Sequence, residues 1–167
     1  MTSEPLQGLH FLCGEFAGTD HVEPSAWGPG ATVRATASAR WEQNDRLLVQ
    51  VHRQTEGGSE SFESMTVFMP DPGGGDILLY AFDTYGFPPD PPARGGPIEG
   101  KLVFRRHTPR GESLTTYEPT PHGYAWSKHF RPDHDAPWQV VVRGSLDAVT
   151  DEGRGGSSAT TRNERAT

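Results

Sequence analysis

The sequence predicts an all-β domain: one antiparallel up-and-down β-barrel of about nine to ten strands, followed by a disordered tail. Three observations carry this expectation. Apolar residues recur with period two rather than 3.6 along most of the chain. Glycine (20) and proline (15) make up about a fifth of the 167 residues and fall mainly between the alternating runs. Those runs return roughly every 8–12 residues, the spacing of successive hairpins.

Taken in order, a short helical turn is predicted around Pro5 to His10 and a first strand near Leu12 to Val22. Val33, Ala35, Ala37, Ala39 and Trp41 alternate with Arg34, Thr36, Ser38 and Arg40, which gives a strand with one small-residue face and one polar face. After the turn-like Gln43-Asn44-Asp45 comes Leu47 to His52, then Phe62 to Met69, bounded by Gly57-Gly58 and by Pro70-Asp71-Pro72-Gly73. Ile77 to Asp83 follows, closed by Gly86 and a proline-rich loop, Phe87 to Pro97. Lys101 to Arg106, Ser113 to Tyr117, Tyr124 to Phe130 and Trp138 to Leu146 complete the series. Closing such a meander into a barrel removes its edge strands, and a barrel of about this size holds one small ligand. The domain is expected over residues 1–149. Residues 150–167 contain no large apolar side chain after Val149 and read as a disordered tail.

Composition narrows the function classes. The formal charge, 15 cations against 22 anions, is −7 and argues against nucleic acid as a partner. No apolar run approaches the ~20 residues of a membrane helix, and no secretory leader is visible, so a cytoplasmic protein is expected. The single cysteine, Cys13, excludes an internal disulfide, and its apolar surroundings point to a buried thiol. The seven histidines show no ligand spacing, so neither a metal nor another cofactor is expected; His129 and His134, five apart across a proline-containing loop, read as surface residues. Gly73-Gly74-Gly75 precedes a strand rather than a helix and is no phosphate loop.

Leu12-Cys13-Gly14-Glu15-Phe16-Ala17-Gly18, His21-Val22-Glu23-Pro24-Ser25-Ala26-Trp27, Phe82-Asp83-Thr84-Tyr85-Gly86 and the stretch Gly96 to Leu102 occur in this order. Together they resemble a bacterial domain-of-unknown-function family marked by H-x-x-P-S-x-W and F-D-[ST]-x-G. The resemblance spans roughly residues 6 to 147 and implies a calycin-like barrel, distantly similar to nitrobindins and fatty-acid-binding proteins. The chain departs from the pattern at Phe16 and Ile98, where tryptophan is usual, and at Met65, where a histidine is usual.

Candidate site residues follow. His21, at a strand end before a Pro-Ser turn, is a candidate general acid or base, or else a residue that fixes the turn or pairs with Asp83. Asp83 closes an apolar strand; it orients a histidine, binds ligand, acts as base, or caps an Asx-turn. Trp27 covers the barrel mouth or packs over the core. His52, Met65, Tyr80, Tyr117 and Trp126 lie mid-strand and form a mixed polar and aromatic pocket if they point inward. An inward Arg40 binds a carboxylate; an outward one is a solvated face.

The expected function is binding of a small, largely apolar or aromatic metabolite by a monomer or homodimer. The leading expectation is a cofactor-independent acid–base enzyme of cyclase, isomerase or dehydratase type, with His21 and Asp83 as acid and base. Arginine-heavy, lysine-poor usage is associated with the high-GC genomes in which such barrels serve specialised metabolism, antibiotic biosynthesis included. The alternative is a carrier or sensor of a hydrophobic ligand. A nitrobindin-like haem protein, with His129 or His52 as axial donor, ranks third.

Overall fold

The computed structural model describes residues 4–26 and 28–150, with side chains from Leu6 onward. Trp27 and nearly all of the expected tail lie outside the described residues. Ten strands form one closed barrel: β1 Gly14–Val22, β2 Ala31–Glu42, β3 Leu47–Glu56, β4 Ser59–Pro70, β5 Ile77–Asp83, β6 Ala93–Ile98, β7 Lys101–Thr108, β8 Gly111–Pro119, β9 Gly123–Arg131 and β10 Gln139–Ala148. Each pairs antiparallel with its sequence neighbours, and β1 closes the ring on β10 from Phe16↔Ala148 to Val22↔Val142. Two strand connections take the left-handed backbone that their residues tolerate: Gly57-Gly58 between β3 and β4, and Gln43-Asn44-Asp45 between β2 and β3.

The strand that the sequence hid is β6. It lies in the stretch read as a proline-rich loop, and it is short, meeting β5 over only three residue pairs, Ile77↔Gly95 to Leu79↔Ala93. Pro97 stands one residue from its end, opposite Leu102, where a missing N–H costs the ladder little.

The opening segment Glu4–Leu12 is a 3-10 helix. With three residues per turn, Leu6, Leu9 and Leu12 fall on one stripe, and all three are fully buried. They plug the end of the barrel where β1 begins. Gly8 lets the helix approach β6, since a Cβ there would come within 2.7 Å of Pro97. Beneath the plug lies the core of Phe16, Leu48, Phe68, Phe104, Tyr117, Tyr124 and Leu146. Phe68, Phe104 and Tyr117 meet one another in tilted or edge-to-face pairs, the geometry their ring quadrupoles favour. The inner face of β2 is small throughout, with Val33, Ala35, Ala37 and Ala39 buried, as its alternation predicted.

No helix among the described residues is long and apolar enough to cross a membrane. Leu9→Ala removes a fully buried side chain from a plug that cannot collapse onto the strands. It is expected to lower unfolding free energy by about 2–5 kcal/mol, read as a shift in the denaturant midpoint.

Candidate functional site

The far end of the barrel, opposite the plug, is hollow. Val22, Gln54, Phe62, Asp83, Arg106, Lys128 and Val141 lie near its rim, Gln50, His52, Tyr117, Tyr124 and Trp126 lie deeper, and the cavity measures about 220 Å3. An apolar cavity of ~150 Å3 accepts benzene, so this one suits a single ring with one or two substituents.

Behind the cavity wall lies a buried acid. Asp20, on the inner face of β1, has no exposed surface. Its Oδ2 accepts hydrogen bonds from His52 Nε2 at 2.6 Å and Gln54 Nε2 at 2.7 Å, and its Oδ1 accepts one from Trp126 Nε1 at 2.9 Å. An isolated carboxylate buried this deeply would cost several kcal/mol; three donors, one of them an imidazole, offset that cost. The packing also explains how the donors reach it. Asp20 stands opposite Gly144, and Gly144 opposite Trp126, so one cross-strand row carries acid, gap and indole. A Cβ at residue 144 would overlap both Asp20 Oδ1 and Trp126 Nε1. On the other side, Val33 of β2 is opposite Asp20, and the small Ala37 and Ala35 stand opposite His52 and Gln54, which leaves those two side chains room to lean across β2.

His52 donates through Nε2, so its Nδ1 is left without a protein partner among the described residues. The imidazole meets the Trp126 ring edge-on, with centroids 5.1 Å apart, and Tyr117 stacks on the other side of that indole at 6.4 Å. Gln50 donates to the Tyr124 hydroxyl at 3.2 Å. Burial raises the pKa of Tyr117 and of Tyr124, which keeps both phenols neutral at physiological pH.

A second polar group, cationic this time, lies toward the mouth. Arg106 on β7 and Lys128 on β9 face inward on either side of β8 and line both the cavity and an adjoining pocket. Arg106 is 11% exposed; its Nη1 stands 3.8 Å from Asp90, and its Nε is buried with no partner. Asp90 itself is held by Arg110 Nη2, 2.9 Å from each carboxylate oxygen. Lys128 makes no hydrogen bond or ion pair among the described residues. Burial and, behind it, the Arg106 charge lower its pKa; burial also lowers that of Arg106, against the pull of Asp90.

Of the residues singled out in the sequence, His52, Asp83, Tyr117 and Trp126 line the cavity. His21 and Asp83 do not come together. His21 takes the outward position in β1, where its Nδ1 lies 2.9 Å from the Thr32 hydroxyl and its Nε2 3.7 Å from Glu23. Asp83 is exposed at the mouth and caps an Asx-turn, accepting the Tyr85 N–H at 3.0 Å. Arg40 is exposed beside Glu42, Met65 is 41% exposed, and Tyr80 alternates with the cavity-lining Leu79 and Ala81; none of the three reaches the cavity. His129 alternates in β9 with Lys128 and faces away from the cavity. Trp27 lies outside the described residues. The sequence reading passed over Asp20, Gln54, Arg106 and Lys128. The signal for Asp20 was the parity of Phe16, which as a large aromatic marks the inner face of β1 and carries positions 18, 20 and 22 with it. Among the described residues no group of three or more His, Cys, Asp and Glu could hold a metal ion.

No family model and no curated protein matches the chain. Among solved structures, the crystal structure of Rv2717c from M. tuberculosis is similar, with a TM-score of 0.68 at 12% identity over 90% of this chain and all of that one. At that identity the likeness establishes a shared barrel architecture.

Gly144→Ala is expected to lower stability by about 1–3 kcal/mol, because the added methyl must displace either the acid or the indole. The same variant should shift the Trp126 indole N–H resonance, which reports loss of the bond to Asp20.

Proposed function

We propose that this protein is a calycin-type small-molecule-binding barrel that acts as a cofactor-independent acid–base enzyme on a compact, largely apolar or aromatic metabolite. The observation that carries the reading is the Asp20–His52 pair, whose imidazole lines the cavity with the acid buried behind it. A buried carboxylate fixes one imidazole nitrogen and orients the ring, while the other nitrogen has no partner among the described residues; this is the arrangement by which a histidine takes and returns a proton. The His52 side chain is 8% exposed and Asp20 not at all, and this burial strengthens the interaction between them. In this reading the proton carrier is His52 with Asp20 as its positioning residue. His21, on the outer wall, and Asp83, at the rim, serve the turn and the mouth. Trp126 and Tyr117 supply a flat apolar surface for a ring, and neutral Tyr124 is a hydrogen-bond donor or acceptor on the cavity floor. Proton transfer of this kind underlies cyclisation, isomerisation and dehydration alike.

The test uses 5-nitrobenzisoxazole, an uncharged bicycle of suitable size. Removal of its one acidic ring proton breaks the N–O bond and releases a coloured cyanophenolate. Ring opening is expected at on the order of 100-fold above the buffer rate, to be lost in His52→Ala and lowered in Asp20→Asn, which keeps the shape but not the charge behind the imidazole. Binding of the probe with no ring opening by the wild-type protein is the outcome of the alternative reading, a carrier or sensor.

A further inference from the structure

The acidic balance of the chain makes the interior of its cavity unexpected. Only two lysines occur in the sequence, and one of them, Lys128, is on the inner wall. Beside it Arg106 holds a buried Nε with no acceptor, a donor that costs about 1–3 kcal/mol to leave unmade. Neither residue serves the core: the plug end is filled by leucines and aromatics, and the Asp20 network is closed by His52, Gln54 and Trp126. Their counter-charge is partial. Asp90 bonds both its oxygens to Arg110, leaving Arg106 a contact of 3.8 Å, and Asp83 spends its Oδ1 on the Tyr85 N–H. Two cations held without full counter-charge inside a cavity form a site that awaits an anion.

We propose that Arg106 and Lys128 are an anion subsite, which receives the carboxylate of a compact aromatic or alicyclic acid whose ring lies over Trp126 and Tyr117. This names the substrate class for the function proposed above; it rests on that reading's cavity and not on its proton transfer. Three features fix the class. Arg106 and Lys128 present their nitrogens to the same end of the cavity, while Asp90 is bonded through both oxygens to Arg110, so a single carboxylate matches the donors left to a ligand. The deeper cavity wall carries the rings of Tyr117, Tyr124 and Trp126, which suit a flat apolar body. The volume of about 220 Å3 admits a ring and its acid group but not a long alkyl chain. Arg106 on β7 and Lys128 on β9 flank β8, the strand opposite β3 and His52 in the ten-strand ring, so an acid anchored between them presents its far side toward the imidazole.

Isothermal titration of the full-length protein with benzoate and with benzamide, its uncharged counterpart of the same shape, tests the subsite. Benzoate is expected to bind about tenfold tighter or more. The preference should vanish in the double variant Arg106→Met, Lys128→Met, with benzamide affinity little changed and the fold verified by circular dichroism. Equal wild-type affinities for the two probes overturn the proposal, as does a benzoate preference that survives the double substitution. Inorganic phosphate that competes with benzoate at equal affinity also overturns it, because the apolar body then contributes nothing. Since binding is read without turnover, failure of 5-nitrobenzisoxazole ring opening rejects the acid–base reading alone and leaves this comparison intact.

Discussion

The buried Asp20 carboxylate is the interaction on which the hollow half of the barrel depends. It lies on β1, and its donors come from β3 and β9, so each of its hydrogen bonds spans an intervening strand. Those intervening strands are thin beside the donors: on β2 Ala37 stands opposite His52 and Ala35 opposite Gln54, and on β10 Gly144 stands between Asp20 and Trp126. Substituting either donor leaves a charge without its compensation, and thickening either spacer separates the partners. The requirement thus reaches well beyond the acid itself, to residues with no polar atom in their side chains.

The two ends of the barrel solve different problems. At the plug end, apolar burial is complete, with Leu6, Leu9, Leu12, Phe68 and Phe104 all without exposed surface. Here stability arises from burial, roughly 25 cal/mol per Å2 of apolar surface removed from water. At the mouth, polar and charged residues replace the apolar inner row of the same strands. β3 passes from Leu48 through Gln50 and His52 to Gln54, and β7 from Leu102 through Phe104 to Arg106. Each strand is therefore a gradient from packing to chemistry, and the aromatic layer of Tyr117, Tyr124 and Trp126 forms the boundary. A filled lower half holds the strand spacing fixed around the cavity above it.

The architecture was legible in the sequence because alternation, turn residues and hairpin spacing are local signals. The short β6 escaped because proline and glycine dominate it and only its neighbours hold it in the sheet. The candidate site was not legible in place. His21 and Asp83 were expected to pair, whereas the buried histidine–carboxylate pair joins Asp20, the neighbour of His21, to His52 on β3. In a strand, a shift of one residue exchanges inside for outside. β1 offers little contrast to set that parity: between Phe16 and Val22 it carries only alanine, glycine, threonine, aspartate and histidine. Arg106 and Lys128 escaped for a different reason. A basic residue in a strand reads as solvent-facing, and only the closed ring shows that these two point inward.

Closure between β1 and β10 joins residues more than a hundred positions apart, Phe16 with Ala148. Contacts of such sequence separation are slow to form, because a long loop must be ordered before they return any stabilisation. During synthesis the first strand leaves the ribosome long before its partner, and the leucines at 6, 9 and 12 then have no barrel to enter. They and the unpaired outer edge of β1 stay exposed until the last strand arrives. Until β10 pairs with it, that edge is open to any other strand, and closure of the ring is what removes it.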